Sequence, residues 1–204
     1  MNKINFYVTK FVYLNKDSDF VLDISLKNIK RKLSDFGKRV FYLFDECYSN
    51  KTDNIVFSSR FLEPDKLAQL IQQYKNNNEI SPMVFSSSVY NGIIGLWAVQ
   101  RKYDKNYSAL CASKNTISNG LLTCLISKSQ ESEFVFADNF KDDFMGFGLS
   151  ISFEKEKGAK KYCITLKEKA EDIEDIFNQF IDFFSGKIKI LDCSMFKMEA
   201  VQND

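Results

Sequence analysis

The chain has 204 residues, the size of one compact domain, and 45% of them are apolar, which excludes a wholly disordered or collagen-like chain. Lysine and arginine number 28 against 27 aspartates and glutamates, and the net charge of +1 gives no general sign of nucleic-acid or membrane binding. The sequence contains no histidine, which excludes a Ser-His or Cys-His catalytic pair, a histidine general base and a histidine metal ligand.

The first part of the chain predicts strands that alternate with helices. Apolar residues alternate with polar ones at the start, and then recur at helical spacing or form short unbroken runs. The predicted elements are a strand at 4–8, a polar loop at 15–25, a long amphipathic helix at 28–48, a buried strand at 54–59, and a helix from Pro64 with an apolar stripe of Leu67, Leu70, Ile71 and Tyr74.

The middle of the chain continues this alternation. Gly92, Gly95 and Trp97 lie in an apolar stretch that predicts a buried helix over 91–100, in which the glycines allow close backbone contact. The elements predicted after it are a strand over 107–112, a helix over 117–125 and a buried strand over 133–137. This order predicts an α/β sheet that is at least partly parallel.

The last third of the chain has a different pattern. The segments 148–153 and 162–166 both alternate strongly and are separated by a Lys-Glu-Lys-Gly loop, which predicts a β-hairpin. Apolar residues over 173–184 recur at helical spacing, with acidic residues suited to a first helical turn and Gly186 as the helix end. A final strand is predicted over 187–192.

Neither the cysteines nor any short motif predicts a cofactor or a metal site. The five cysteines are scattered without a Cys-x-x-Cys pair, which indicates free thiols in a reducing cytoplasm. The sequence has no phosphate-binding glycine loop and no Gly-x-Ser-x-Gly elbow. Because the N-terminal residues lack a signal-peptide core and no apolar run reaches about 18 residues, we expect a soluble, cytoplasmic protein.

Three groups of residues are candidate functional sites. Cys111 lies at the end of a predicted strand, just before a predicted helix N-terminus, where a thiol can become a nucleophilic thiolate. The alternative is that Cys111 is a buried small apolar side chain. The pairs Asp142-Asp143 and Glu171-Asp172 are either an acid–base pair or solvated surface, and their polar neighbours favour the surface. The helix at 28–48 carries a basic set, which is either a solvated face or a docking surface for an acidic partner. The basic set is Lys27, Lys30, Arg31, Lys32, Lys38 and Arg39.

The stretch from 80 to 122 contains an ordered series of short motifs. These are Ser81-Pro82, a Phe-Ser-Ser-Ser-Val-Tyr-Asn run at 85–91, the helix with Gly92 and Gly95, and a Gly-Leu-Leu run at 120–122. A Lys-Arg-Lys-Leu-Ser-Asp-Phe run at 30–36 and an Ile-Val-Phe-Ser-Ser-Arg run at 55–60 precede them. Over about residues 1–140 the chain resembles the short β-ketoacyl synthase-like N-terminal domain family, a branch of the thiolase-like fold.

The resemblance implies half of a ketosynthase without its chemistry. Tyr90 stands where the family usually has a histidine, and we expect its hydroxyl to be hydrogen-bonded and its ring to be partly buried at the start of the next helix. Ser113 lies nearest the position of the ketosynthase cysteine, and Cys111 comes about two residues before it. Full ketosynthases draw two histidines from a C-terminal half, and we expect this chain to end before such a half. Condensing activity is therefore not expected.

We therefore predict one α/β domain over 1–204, with a family-matching core over 1–140. The resemblance implies the N-terminal half of the thiolase-like fold, with a mixed, largely parallel sheet flanked by helices. A hairpin, a helix and a strand over 141–204 are expected to complete it.

The implied function is that of a non-catalytic accessory protein in a bacterial type II fatty-acid or polyene-type pathway. It would bind or scaffold a synthase, an acyl carrier protein or both, without a cofactor. Tyr90, Asn91, Arg31, Lys38 and Arg39 are the predicted binding residues. We also expect a homodimer, or a heterodimer with a full ketosynthase, paired through the strand at 107–112. The alternatives are an acyltransferase or decarboxylase that acts on acyl-carrier thioesters through Cys111, and a structural homodimer with no acyl ligand.

Overall fold

A mixed β-sheet runs through the molecule. The structure is a computed structural model that describes residues 3–22, 33–77, 79–127, 129–140 and 143–201. The strands in these ranges are β1 (Lys3–Asn15), β2 (Asn54–Ser58), β3 (Asn106–Leu110), β4 (Glu131–Phe140), β5 (Asp143–Ser152), β6 (Lys160–Leu166), β7 (Ile190–Asp192) and β8 (Phe196–Val201). Their order across the sheet is β3-β2-β4-β5-β1-β6-β8-β7, so β3 forms one edge.

Helices cover both faces of the sheet. Those in the described ranges are α1 (Asp35–Cys47), α2 (Pro64–Asn77), α3 (Pro82–Ser88), α4 (Gly92–Arg101), α5 (Thr116–Ile126) and α6 (Phe177–Ser185), and a 3-10 turn (Ser113–Asn115) precedes α5. Side chains alternate across β4, so Phe134 and Phe136 enter the core under α5 and α6, whereas Val135 and Ala137 enter the core under α1 and α4. The chain thus has two apolar cores separated by one sheet.

The buried elements of the first 140 residues are confirmed, and their causes are local. Every residue of β2 is buried, as its unbroken apolar run predicts. Trp97 anchors α4, with its ring fully buried and its indole N–H donating to Asp45 Oδ1 at 2.9 Å. A β-carbon at Gly120 would lie 2.4 Å from the Phe134 ring, so only glycine lets α5 approach β4 this closely.

Two predictions about the sheet are wrong. The predicted hairpin between 148–153 and 162–166 does not form, because β1 lies between β5 and β6 and pairs antiparallel with both. The sheet is also not largely parallel. The only parallel pairings among the described strands join β2 to β3 and to β4, and the other pairings are antiparallel. Phe140 pairs with Asp143, and so short a connection between β4 and β5 permits only antiparallel strands.

The C-terminal prediction needs two further corrections. Helix α6 begins at Phe177 instead of 173, because the acidic residues before it bind elsewhere, as described below. Its end at Gly186, which has a φ of 88°, is confirmed. The last strands are β7 and β8, of which β8 was not predicted, although Phe196 and Met198 alternate with polar residues and are both fully buried.

Of the helix predicted over 28–48, the described residues contain α1, which begins at Asp35. Ser34 has an extended backbone (ψ 169°), and its hydroxyl accepts a hydrogen bond from the Gly37 N–H, so it caps α1 at Asp35. Lys27, Lys30, Arg31 and Lys32 lie outside the described residues. Helix α2 is confirmed, but Leu70 is the one member of its predicted stripe that is buried. Within the described part of the chain, no helix is long and apolar enough to cross a membrane.

Candidate functional site

The turn between β3 and α5 contains Ser113, the residue that the sequence predicts to lie nearest the position of a ketosynthase cysteine. Ser113 lies in this turn with a φ of 51°, a left-handed conformation that costs a non-glycine residue about 1 kcal/mol or more. Thr116 fixes the turn, since its hydroxyl accepts from the Ala112 N–H at 3.0 Å and donates to the Ser113 carbonyl at 2.7 Å. The exposed Ser113 side chain is therefore held in a strained strand-to-helix turn.

The N-terminus of α5 is occupied by a carboxylate from the same chain. Asp175 Oδ2 accepts a hydrogen bond from the Ser118 N–H at 2.7 Å, and the Asp175 N–H donates to the Lys114 carbonyl at 3.0 Å. Asp175 is 4% exposed. Burial raises its pKa, and the backbone N–H groups of Ser118 and Ile117 oppose that rise. A helix N-terminus attracts anions, and here Asp175 already fills that place.

Residues 171–175, here called the acidic segment, lie across this turn. Lys114 forms an ion pair with Asp172, and the Arg60 guanidinium lies 3.8 Å from a Glu174 carboxylate oxygen. The Glu171 carboxylate pairs with Lys167 at 2.7 Å. Glu171 and Asp172 thus bind separate lysines, which favours the surface interpretation of this pair over an acid–base role. The pair Asp142-Asp143 is only half described, because Asp142 lies outside the described residues.

Asp138 holds the residues that follow β2, and the sequence analysis did not identify it as a site residue. Its buried carboxylate accepts hydrogen bonds from the Ser59 hydroxyl (2.7 Å), the Arg60 N–H (2.6 Å), the Arg60 Nε–H (2.7 Å) and the Phe61 N–H (3.0 Å). These bonds fix the Ser-Ser-Arg end of β2. The sequence could have indicated Asp138, because it directly follows the buried strand predicted over 133–137. Ligand sites of α/β sheets usually lie at the carboxyl ends of the strands.

Two predicted site residues meet at the Arg60 carbonyl. The Tyr90 hydroxyl donates to this oxygen at 2.8 Å, and the Cys111 thiol donates to it at 3.7 Å. The hydrogen bond and partial burial expected of Tyr90 are thus confirmed. Burial, followed by the neighbouring Cys111, raises the pKa of Tyr90, so its hydroxyl keeps its proton near neutral pH and cannot serve as a general base.

Cys111 is exposed, unlike the buried Cys47, Cys124 and Cys193. Cys111 lies five positions before Thr116, the first residue of α5, and the 3-10 turn lies between these two residues. The use of Cys111 as a nucleophile remains a prediction.

Asn91 and the basic set occupy separate places. Asn91 lies at the N-cap of α4, but its side chain makes no capping hydrogen bond. Arg39 is structural: it pairs with Asp35 at 2.9 Å, donates to the carbonyls of Asn15 (2.7 Å) and Lys16 (3.0 Å), and its side chain is 12% exposed. Lys38 is half-buried on α1. Ser34 caps the helix that carries Lys38 and Arg39, and Arg31, the other predicted basic binding residue, lies outside the described residues.

Comparison with known proteins places the chain in a family. A family model described as the β-ketoacyl synthase N-terminal domain matches residues 25–144, more than half of the chain. Among solved structures, the chain is similar to one from the ketosynthase ApeO in complex with its chain length factor ApeC from Xenorhabdus doucetiae. The TM-score is 0.72 at 16% identity, and the alignment covers 96% of this chain and 99% of that chain, which shows a shared ketosynthase-like, thiolase-type fold. No curated protein matches the sequence. The chain belongs to the family of β-ketoacyl synthase N-terminal domains.

Proposed function

We propose that this protein is an accessory ketosynthase-like subunit that has no condensing activity of its own and pairs with a complete ketosynthase. The pathway proposed for it is bacterial type II fatty-acid or polyene-type synthesis, with residues 1–204 acting as one domain. The structural neighbour is a complex of a ketosynthase with a chain length factor, which supports a partnership of this kind.

The observation that carries the proposal is the open edge of the sheet at β3. The Leu110 carbonyl accepts from the Ser59 N–H at 3.2 Å, so the backbone of Leu110 faces inward to β2. Because backbone groups alternate in direction along a strand, those of Tyr107 and Ala109 face outward. An unpaired edge of this kind is a template for a strand from another chain.

Exposed apolar side chains also occur on the helices that follow one another from this edge. Tyr107 on β3 is exposed, and α4, α3 and α2 pack in succession beside it. On α2 and α3 the large apolar side chains that are about half exposed are Leu67, Ile71, Tyr74 and Phe85. Apolar surface of this kind on a monomer marks an interaction site. A partner that covered both the β3 edge and these helices would bury both features together.

The site itself supports an accessory role over catalysis. Condensation needs a thiolate and groups that stabilise a developing enolate, and the chain has no histidine to supply them. The N–H groups at the start of α5 could stabilise an anion, but Asp175 already uses them. Ser113, which the sequence predicts to lie nearest the position of the ketosynthase cysteine, is exposed, and a serine that no base activates is a weak nucleophile.

The test is sedimentation velocity of the protein alone and with the ketosynthase encoded nearest to it. We expect a one-to-one complex with wild type and with Ala109→Ser, which keeps the edge N–H. Ala109→Pro removes an outward donor without touching the bonds to β2, and we expect it to lose the complex while unfolding at an unchanged temperature. A complex that forms equally well with Ala109→Pro would contradict the proposed edge contact.

The acyl carrier protein is a second proposed partner. Lys38 makes no ion pair within the described residues, so it remains the basic residue of α1 available to an acidic partner. Incubation with acyl-carrier thioesters followed by intact mass measurement separates binding from catalysis. Acylation of Cys111 would favour the alternative function of an acyltransferase.

A further inference from the structure

The acidic segment meets three anion-attracting groups that come from three different parts of the fold. Its Asp172 forms an ion pair with Lys114 of the 3-10 turn, and its Glu174 lies 3.8 Å from the guanidinium of Arg60, just after β2. Its Asp175 accepts a hydrogen bond from the first turn of α5. Two cations and a helix N-terminus thus all bind carboxylates of one short segment.

Polar contacts, more than apolar burial, hold the acidic segment in place. The Asp172 side chain is 85% exposed and that of Glu174 is 61% exposed, and exposed ion pairs contribute little to stability. Ile173 is only half-buried, and Ile176, which follows the segment, is 50% exposed. Segments with few buried apolar side chains open locally while the rest of a protein stays folded, and the acidic segment has this character.

Asp175 is buried, but its surroundings satisfy only part of its carboxylate. Its Oδ2 accepts from the Ser118 N–H at 2.7 Å, whereas its Oδ1 is buried and has no hydrogen-bond partner in the described part of the chain. Burial of an ionised carboxylate with one oxygen unpaired costs free energy. This cost opposes the arrangement that the two ion pairs support.

The two ends of the acidic segment are held more firmly. At one end the Glu171 N–H donates to the Ser194 carbonyl at 2.9 Å, and the Ser194 hydroxyl donates to the Glu171 carbonyl at 2.7 Å. At the other end the Phe177 ring packs against two core phenylalanines, with centroids 5.9 and 6.1 Å apart. Opening would therefore release 172–176 as a loop with both ends held.

We propose that the acidic segment is an autoinhibitory strap, which an acidic peptide of a partner protein displaces from Arg60, Lys114 and the N-terminus of α5. The displacing ligand is a peptide because the segment uses its backbone as well as its carboxylates. The Asp175 N–H donates to the Lys114 carbonyl at 3.0 Å, and a small anion has no donor to replace it. The inference goes beyond the proposed function, because it requires neither the β3 edge nor a ketosynthase.

A dye-labelled peptide with the sequence of residues 171–177 tests the inference on the full chain. The triple change Asp172→Asn, Glu174→Gln and Asp175→Asn removes the charges of the strap and keeps the size of its side chains. In fluorescence anisotropy we expect this strap variant to bind the peptide at least tenfold more tightly than wild type does. A peptide with Asn and Gln in place of its acidic residues should bind the strap variant at least tenfold more weakly.

Two further variants separate displacement from a general effect of charge. Asp104→Asn, Glu154→Gln and Glu168→Gln together change three exposed carboxylates elsewhere, and this control should bind the peptide as weakly as wild type. Lys114→Gln, added to the strap variant, should weaken binding at least threefold. Equal affinity of wild type, the strap variant and the control would refute the proposal. If inorganic phosphate at the same concentration displaced the peptide, the assignment of a peptide ligand would be wrong.

Hydrogen exchange of the wild-type chain gives a second test, which does not depend on the folding of the strap variant. Millimolar peptide should speed the exchange of the amides at 172–176 at least threefold and leave the exchange of β2 unchanged. Thermal unfolding shows whether each variant folds. Unchanged exchange at 172–176 in the presence of the peptide would contradict the displacement of the strap.

Discussion

Glu133 should make the folded protein less stable as the pH rises. Its side chain is fully buried in β4, and neither carboxylate oxygen has a hydrogen-bond partner in the described part of the chain. Burial, followed by the negative charge of Asp45, raises its pKa well above the ordinary value. The neighbouring groups Cys47, on α1, and Tyr103, in the loop after α4, supply no cation to offset this.

The sign and size of the effect follow from proton binding. The unfolded chain loses the Glu133 proton near pH 4.3, while the folded chain keeps it to a higher pH. Above about pH 5 the unfolded state therefore binds fewer protons, and the free energy of unfolding falls by up to about 1.4 kcal/mol per pH unit until the folded-state pKa is reached. Glu133→Gln removes this loss, so its advantage over wild type should be smallest near pH 4 and should grow toward pH 7.

Urea unfolding at several pH values measures this difference. Trp97 is the single tryptophan and is fully buried, so its fluorescence reports the unfolding of the core. Glu154→Gln, at an exposed glutamate, is the matched control and should differ from wild type by a constant amount. If the difference between Glu133→Gln and wild type stays the same from pH 4.5 to 7.5, the buried carboxyl is not the source of the pH dependence.

Three other predictions test the site. Asp138→Ala removes an acceptor of four hydrogen bonds and should lower the free energy of unfolding by about 3 kcal/mol or more, as measured by urea titration, and a loss below about 1 kcal/mol would show that the turn after β2 does not depend on it. Arg39→Gln should lower the free energy of unfolding by about 1–3 kcal/mol in the same assay, because it removes the hydrogen bonds to the carbonyls of Asn15 and Lys16. An unchanged free energy of unfolding would show that Arg39 has no structural role. Lys38→Glu should weaken carrier-protein binding more at 50 mM than at 500 mM salt in surface plasmon resonance; an effect independent of salt would rule out a charge contact.

Local signals predicted the elements of the fold, but not how they pair. The unbroken apolar run of β2 and the glycine-rich stretch of α4 each identify an element without reference to distant residues. The position of β1 between β5 and β6 depends on contacts more than 130 positions away, such as Val12 with Gly148, which no short pattern records. The hairpin prediction failed because strong alternation in two neighbouring segments indicates two strands and leaves their partners open.

In the candidate site, too, short sequence patterns did not predict which distant residues are in contact. The acidic residues at 171–175 do suit a helix N-terminus, as the sequence suggested, but Asp175 binds α5 instead of the helix that follows it. Arg39 was predicted to face an acidic partner because charges on an amphipathic helix usually point to solvent, and backbone carbonyls near 15–16 bind it instead. Tyr90 was placed correctly because the family motif fixes its position before α4.

The central claim is that the protein assists a ketosynthase and does not condense acyl units itself. Mass spectrometry of carrier-bound products tests it most directly, with malonyl- and acyl-carrier proteins incubated with this chain alone, with the ketosynthase alone, and with both. We predict no elongation by this chain alone and a product distribution from the pair that differs from that of the ketosynthase alone. Elongation by this chain alone that persists through repeated purification would contradict the claim.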